Sequence, residues 1–174
     1  MIEINVSQQL KSEIGYERDY DIDEIIDVDG CDRRVWGKVK LTRTDRGILV
    51  IGKLKMDITL NCCRCLSEFS QVLSLDIQEE YFPTINVSTG VSVALPEEPG
   101  AFTIDEHNIL DLGEAIRQYS VMATPAKPLC REDCAGLCPT CGANLNKGPC
   151  GCPPQPVDHR WEALRKLAVT DTDK

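Results

Sequence analysis

The stretch that decides the fold is "RRVWGKVKLTRTDRGILVIGKLKMDITL", residues 33–60. Its period is two. Val35, Val39 and Leu41 fall on one side, and Arg34, Trp36, Lys38 and Lys40 on the other. "TDRG" (44–47) supplies a turn, after which Leu54, Met56, Ile58 and Leu60 alternate with Lys53 and Lys55. Such alternation marks strands half-buried against a core. The segment reads as a long hairpin with an apolar side and a basic side.

Working outward, a short strand is expected at 1–6 and another at "QVLSLDIQEEYF" (71–82), with Val72 out of register. Residues 86–100 read as a loop. A helix is expected over 109–123, with Asp111 at its N-cap and Glu114 three residues on, close to a capping box. Ile109, Leu112, Ile116, Tyr119 and Ala123 form its apolar stripe, and Pro125 and Pro128 end it. Beyond "CPPQP" (152–156), Asp158 can cap a short helix that buries Trp161, Leu164, Leu167 and Ala168. The expected class is α+β: a small antiparallel β-structure with about two helices and a C-terminal cysteine-rich zinc ribbon. Residues 1–129 form the body, 130–156 the cysteine-rich zinc-binding segment, and 157–174 a C-terminal helix packing on the body.

The chain of 174 residues carries a net charge of −9. That balance argues against a sequence-independent polyanion binder, whose affinity comes from Lys and Arg displacing counterions. The charges are segregated. Residues 13–32 hold nine acids against Arg18 alone, and residues 33–64 hold nine bases against Asp45 and Asp57. The acidic run, punctuated by Ile22, Ile25 and Ile26, is expected to be partly mobile.

There are ten cysteines. The N-terminus, "MIEINVSQQLKSE", has neither the basic start nor the apolar stretch of a signal peptide, which places the chain in the cytoplasm. In that reducing compartment cysteines are better explained by metal than by disulfides. "CPTCG" (138–142) is the strongest signal: Cys138 and Cys141 bring two sulfurs to one ion, and the following glycine relieves the tight turn. Cys150 and Cys152 supply the other pair across a loop. Four thiolates leave no open position, so this is a structural zinc site that folds a segment with no apolar run of its own. An iron–sulfur cluster or free thiols are the alternatives. A second motif, "CCRCL" (62–66), needs another pair, and Cys130 and Cys134 remain to provide it. The rivals are a redox CxxC, which should open a helix rather than lead into a strand, and simple half-buried thiols. Cys31 and Cys63 are left over.

"CCRCL" (62–66), "LDLGEAIRQY" (110–119), "PLCREDCAGLCPTCGANLN" (128–146), "CGC" (150–152) and "DHRWEALRKL" (158–167) occur in an order that resembles the YceD family. The resemblance spans about residue 30 to the end. It implies a bacterial or chloroplast protein linked to accumulation of 23S ribosomal RNA and large-subunit assembly, with no established enzymatic activity. It also implies pairing of Cys62 and Cys65 with Cys130 and Cys134, hence one or two structural Zn²⁺ ions.

The leading functional expectation is a non-enzymatic factor that contacts ribosomal RNA or a large-subunit precursor. The candidate surface is Arg34, Trp36, Lys38, Lys40, Lys53 and Lys55, extended at the hairpin tip by Arg43 and Arg46. Cations around an aromatic can hold RNA backbone and stack a base; the alternative is a solvated strand face with Trp36 packed on lysine stems. The acidic run can shield this face until RNA displaces it. A second expectation is a module that docks a basic ribosomal protein or assembly factor. Catalysis is the least supported class. His107 and His159 lack a nucleophile arrangement, Glu79–Glu80 and Glu97–Glu98 do not form a nuclease site, and no phosphate loop or membrane span is present. No small-molecule substrate is expected.

Overall fold

The protein is seen in a computed structural model that describes residues 2–28, 30–96, 100–153 and 160. The strands are β1 (Glu3–Asn5), β2 (Glu17–Val28), β3 (Cys31–Arg43), β4 (Ile48–Asn61), β5 (Glu68–Pro83), β6 (Phe102–Ile104) and β7 (Ile109–Asp111). Two helices, α1 (Ser7–Leu10) and α2 (Gly113–Ala123), accompany them. All seven strands belong to one sheet, ordered β1-β7-β6-β5-β4-β3-β2. Neighbours are antiparallel except β5 and β6, which run parallel.

The hairpin read from the sequence is β3 and β4, and its alternation sets the sheet's two faces. Val35, Val39, Leu41, Ile48, Val50, Leu54 and Met56 are buried on the inner face, with Leu73, Leu75 and Ile77 from β5. Val72 is exposed. α2 packs on this inner face through Leu112, Ala115 and Ile116, all in the same apolar cluster as Ile2, Ile4, Ile22 and Ile26 from the two ends of the sheet. One core therefore spans the whole sheet. Each fully buried Leu, Ile or Val contributes about 1.5–3 kcal/mol.

Three expectations need correction. Most of the acidic segment is regular structure: Glu17–Val28 is a strand paired along its length with β3, from Glu17 opposite Thr42 to Val28 opposite Cys31. Its isoleucines explain this, since Ile22, Ile26 and Val28 point inward and are buried. The helix expected from 109 begins at Gly113. Ile109–Asp111 pairs instead with β1, so Ile109 belongs to the sheet and not to the helical stripe. No capping box forms. Asp111 Oδ1 accepts from Gly113 N at 2.9 Å, while Glu114 turns to Arg117 and Gln118. The short α1 and β6 were not foreseen. α1 is tied to the hairpin by Gln9, which donates Nε2 to the Leu41 carbonyl at 2.8 Å. The expected helix at 157–174 falls outside the described residues except at residue 160.

Gly37 sits at φ +145 in the middle of β3, and a Cβ there would overlap the Lys53 carbonyl oxygen of β4. Gly37→Ala should destabilise the fold by about 1–3 kcal/mol, the scale of a side chain forced into a glycine-only backbone region. A lowered urea midpoint with unchanged slope is the expected reading; an unchanged midpoint would show that the strands can part locally at no cost.

Candidate metal centres and the basic face

Eight of the ten cysteines gather into two groups, Cys62, Cys65, Cys130 and Cys134, and Cys138, Cys141, Cys150 and Cys152. Within each group every sulfur lies within 4.8 Å of the others. In the first, Cys62 Sγ and Cys134 Sγ are 3.7 Å apart, as are Cys65 Sγ and Cys130 Sγ. A disulfide requires about 2.05 Å. A tetrahedron with Zn–S bonds of about 2.3 Å has edges of about 3.8 Å, so the sulfurs stand where a four-coordinate ion would hold them. A multi-iron cluster would push its cysteines further apart, because inorganic sulfides lie between them and the remaining irons.

The first group is built from distant parts of the chain. β4 ends at Asn61, and the tight turn before β5 presents Cys62 and Cys65; Cys130 and Cys134 follow α2. Cys63 N donates to the Pro128 carbonyl at 2.8 Å, which lays one segment along the other. Cys62, Cys65 and Cys134 are buried with Phe69, Leu129 and Leu137 in a small cluster separate from the main core. The second group is local and wetter: Cys138 is buried, Cys150 and Cys152 are half-buried, and Cys141 is exposed. Its turn closes by Gly142 N donating to the Cys138 carbonyl at 2.9 Å, with Gly142 at φ +73. The equivalent position after Cys65 is Leu66, a non-glycine at φ +57.

Backbone amides favour thiolates at the first cysteine of each CxxC. N–H groups of Cys130 and Cys65 pull the Cys62 thiol down to about 6. Those of Cys141 and Thr140 do the same for Cys138. Each group also holds a thiol that resists ionisation. Burial, with neighbouring thiols next, pushes Cys130 up to about 12, and Cys141 and Cys150 push Cys152 up to about 12. Four sulfurs this close repel one another as anions, and only a cation at the centre lets all four deprotonate.

Sequence reading missed the residues around these sulfurs. Asn146 Nδ2 donates to Cys134 Sγ at 3.2 Å, while its Oδ1 accepts from Ala135 N and Arg131 Nη2. Asn144 donates to Ser67 Oγ at 3.1 Å, behind Cys65. Arg64 Nη1 donates to the Cys134 carbonyl at 3.0 Å. The two asparagines of "GANLN" thus brace the first group from the chain of the second. The only signal in the sequence was that this motif continues past its last cysteine.

The predicted RNA-contact residues lie on the outer face, but beside the acids of β2. Arg34 makes a two-pronged pair with Asp23 at 2.8 and 2.9 Å and lies over the Trp36 ring. Lys40 meets Glu17 at 2.8 Å and Lys38 meets Asp21 at 3.7 Å. Exposed pairs of this kind are screened by water and contribute little, so the strand ladder and buried isoleucines hold β2 in place more than the ion pairs do. Arg43 is turned into the hairpin tip, donating to the carbonyls of Gly47 and Leu10. Arg46 bonds Glu80 at 2.7 Å and stacks over Phe82. Among the described residues, Lys53 and Lys55 have no ion pair. They stand opposite Lys38 and Trp36 in the register. Elsewhere, His107 is exposed beside Glu106, and Glu79 and Glu80 diverge, one to Tyr119 and the other to Thr44 and Arg46.

One mainly antiparallel sheet, whose β4–β5 turn and cysteine-rich tail together form two four-thiol groups, defines the class: a β-rich protein whose clustered cysteines can hold two metal ions. The chain belongs to the YceD family, described as large ribosomal RNA subunit accumulation protein YceD, whose model matches residues 50–168. It is similar to an uncharacterized protein of Mycobacterium tuberculosis (strain ATCC 25618 / H37Rv), 27% identical over 136 residues, covering 78% of this chain and 62% of that protein. It is similar also to the chloroplastic large ribosomal RNA subunit accumulation protein YCED homolog 1 of Zea mays, 30% identical over 143 residues, covering 68% of this chain and 48% of the relative. The homolog 1 of Arabidopsis thaliana is 27% identical over 153 residues, covering 74% and 47%. The chain therefore spans about three fifths of the mycobacterial relative and about half of the plant ones. No solved structure matches it. No helix among the described residues is long and apolar enough to cross a membrane.

Removing the ligands should separate the two groups. Cys62→Ser/Cys65→Ser should lower bound metal from two ions per chain to one and loosen the tail from the sheet. Cys138→Ser/Cys141→Ser should remove one ion and leave the unfolding of the sheet nearly unchanged, read by elemental analysis and urea titration. Asn146→Ala removes no ligand, yet should weaken metal at the first group roughly 10–100-fold, the usual effect of losing a hydrogen bond to a ligand. Unchanged competition against a zinc chelator would assign Asn146 to the backbone alone.

Proposed function

We propose that this protein is a non-enzymatic cytoplasmic factor that supports accumulation of 23S ribosomal RNA and assembly of the large subunit, with zinc held structurally at both four-thiol groups. The observation that carries the reading is membership of a family described by large ribosomal RNA accumulation, a description shared by the plant relatives. The sulfur spacing supports zinc, which prefers closed tetrahedral thiolate sites for structural roles. A closed site offers no position for substrate, in keeping with a role in architecture rather than catalysis.

RNA contact is assigned to the outer face where the basic columns of β3 and β4 adjoin. Lys53 and Lys55 are exposed, and Trp36 beside Lys55 offers an aromatic surface. Arg34, Lys38 and Lys40 border this patch but share their charge with β2, and Arg43 and Arg46 support its shape at the hairpin tip. Because β2 is built into the ladder, it limits the patch permanently rather than acting as a removable cover.

Depleting the protein in its own cell should lower mature 23S relative to 16S ribosomal RNA, measured on total RNA. Restoring the wild-type chain should recover the ratio. The Lys53→Glu/Lys55→Glu variant should not, while keeping its metal and its urea midpoint. A ratio unmoved by depletion would remove the accumulation role; full rescue by the variant would remove only the RNA contact.

A further inference from the structure

The sheet has two ends, and they meet across a gap. β1 and β2 are its terminal strands, each paired on one side only. Residues of both nevertheless line the same cleft, of about 460 Å³. That volume lies within the range of about 300–1,000 Å³ typical of ligand sites. The two terminal strands therefore border one opening, each with one unpaired side. Described backbone bonds from β1 lead to the β7 side, through Val6 N to Asn108 O and Leu112 N to Ile2 O, and none joins β1 to β2.

The chemistry of the opening selects its occupant. Its floor is apolar, with Ile2, Ile4 and Ile22 buried. Its rim carries Glu3, Asp21 and Glu24, all exposed. The one cation in the lining, Arg18, lies over the Tyr20 ring at 5.1 Å. Above the rim, the outward residues Asp19 and Asp27 of β2 continue the acidity, while Glu17, Asp21 and Asp23 also meet Lys40, Lys38 and Arg34 of β3. An open strand edge accepts another strand through backbone bonds, and side chains alternating above and below give selectivity. A second copy of β2 in this place would set carboxylates against carboxylates, which is unfavourable across strands. RNA phosphates meet the same repulsion. A segment alternating apolar and basic residues satisfies both the floor and the rim.

We propose that the split between β1 and β2 receives an extended, lysine- or arginine-bearing segment of a partner protein as an added strand. This site is remote in chemistry from the Lys53/Lys55 patch, and its standing does not depend on the RNA reading.

The test uses the full chain, metal-loaded, with labelled seven-residue peptides followed by fluorescence anisotropy. Ac-KVKVKVK-amide should bind, and Ac-EVEVEVE-amide should not. Ac-KVKPKVK-amide has the same charge but lacks a central backbone donor, and should bind at least tenfold more weakly. The Asp21→Lys/Glu24→Lys variant, checked for unchanged circular dichroism and metal content, should lose at least tenfold in affinity for the first peptide. Hydrogen exchange should slow at residues 18–24 when that peptide is bound. Equal binding of the proline peptide would reduce the effect to charge and overturn strand addition. Slowing of the same amides by a single-stranded RNA oligonucleotide, or by self-association seen in light scattering without peptide, would also overturn it, in favour of RNA or a second copy.

Discussion

The tail of this protein depends on one junction, the meeting of Cys62 and Cys65 with Cys130 and Cys134. The sulfurs that approach to 3.7 Å are separated by 72 and 65 residues in the chain. Among the described residues, none after α2 belongs to the main apolar core. Without the junction, the described residues 125–153 are held by scattered backbone bonds and a few side-chain bonds, such as Asn144 Nδ2 to Ser67 Oγ. With it, the tail gains a small buried centre of its own, made of sulfurs, Phe69, Leu129 and Leu137. Metal binding to such a site is folding free energy, because the unfolded chain has no preformed set of ligands.

The second four-thiol group then rests on the first. Leu137 bridges to Asn144, and Cys138 N donates to the Ala143 carbonyl at 2.8 Å, forming the turn that holds Cys138 and Cys141. The same asparagines reach back to Ser67 and to the Cys134 sulfur. This arrangement makes the wet, local group an extension of the buried, long-range one. Gly136 fits closely against Arg64 at this contact, where a Cβ would meet the Arg64 carbonyl at 3.3 Å.

Charge follows a different logic. The sequence separates acids (13–32) from bases (33–64), and the sheet sets them side by side. Antiparallel register places Asp21, Lys38, Lys53 and Asp76 in one row across β2, β3, β4 and β5. Lys38 and Lys53 therefore face each other with an acid on either flank. Such a surface offers a narrow basic strip and a broad acidic border, and the border runs to the open edge of the sheet. Glu17, Asp21 and Asp23 pair with the basic strip and limit RNA contact, while Glu3 and Glu24 keep the β1–β2 opening acidic.

The sequence by itself determined the inner and outer faces of β3, β4 and β5, because a period of two leaves only one way to bury Val35, Leu54 and Leu75 together. It also singled out "CPTCG", since a local metal turn is complete within five residues. The pairing of Cys62 and Cys65 with Cys130 and Cys134 was suggested by elimination among the cysteines and by family resemblance but not by spacing, as nothing local links the two segments. β2 was hidden because its acids suggested mobility, while three buried positions out of twelve were enough to pin it once β3 supplied a partner. Residues 109–111 looked helical because Ile109 fits a helical stripe, and only β1 could claim them for the sheet. The closeness of β1 and β2, the bracing asparagines and the partial neutralisation of the basic face belong to tertiary structure alone. Each depends on where the terminal strands lie and on register between strands, which are set by contacts among residues far apart in the chain.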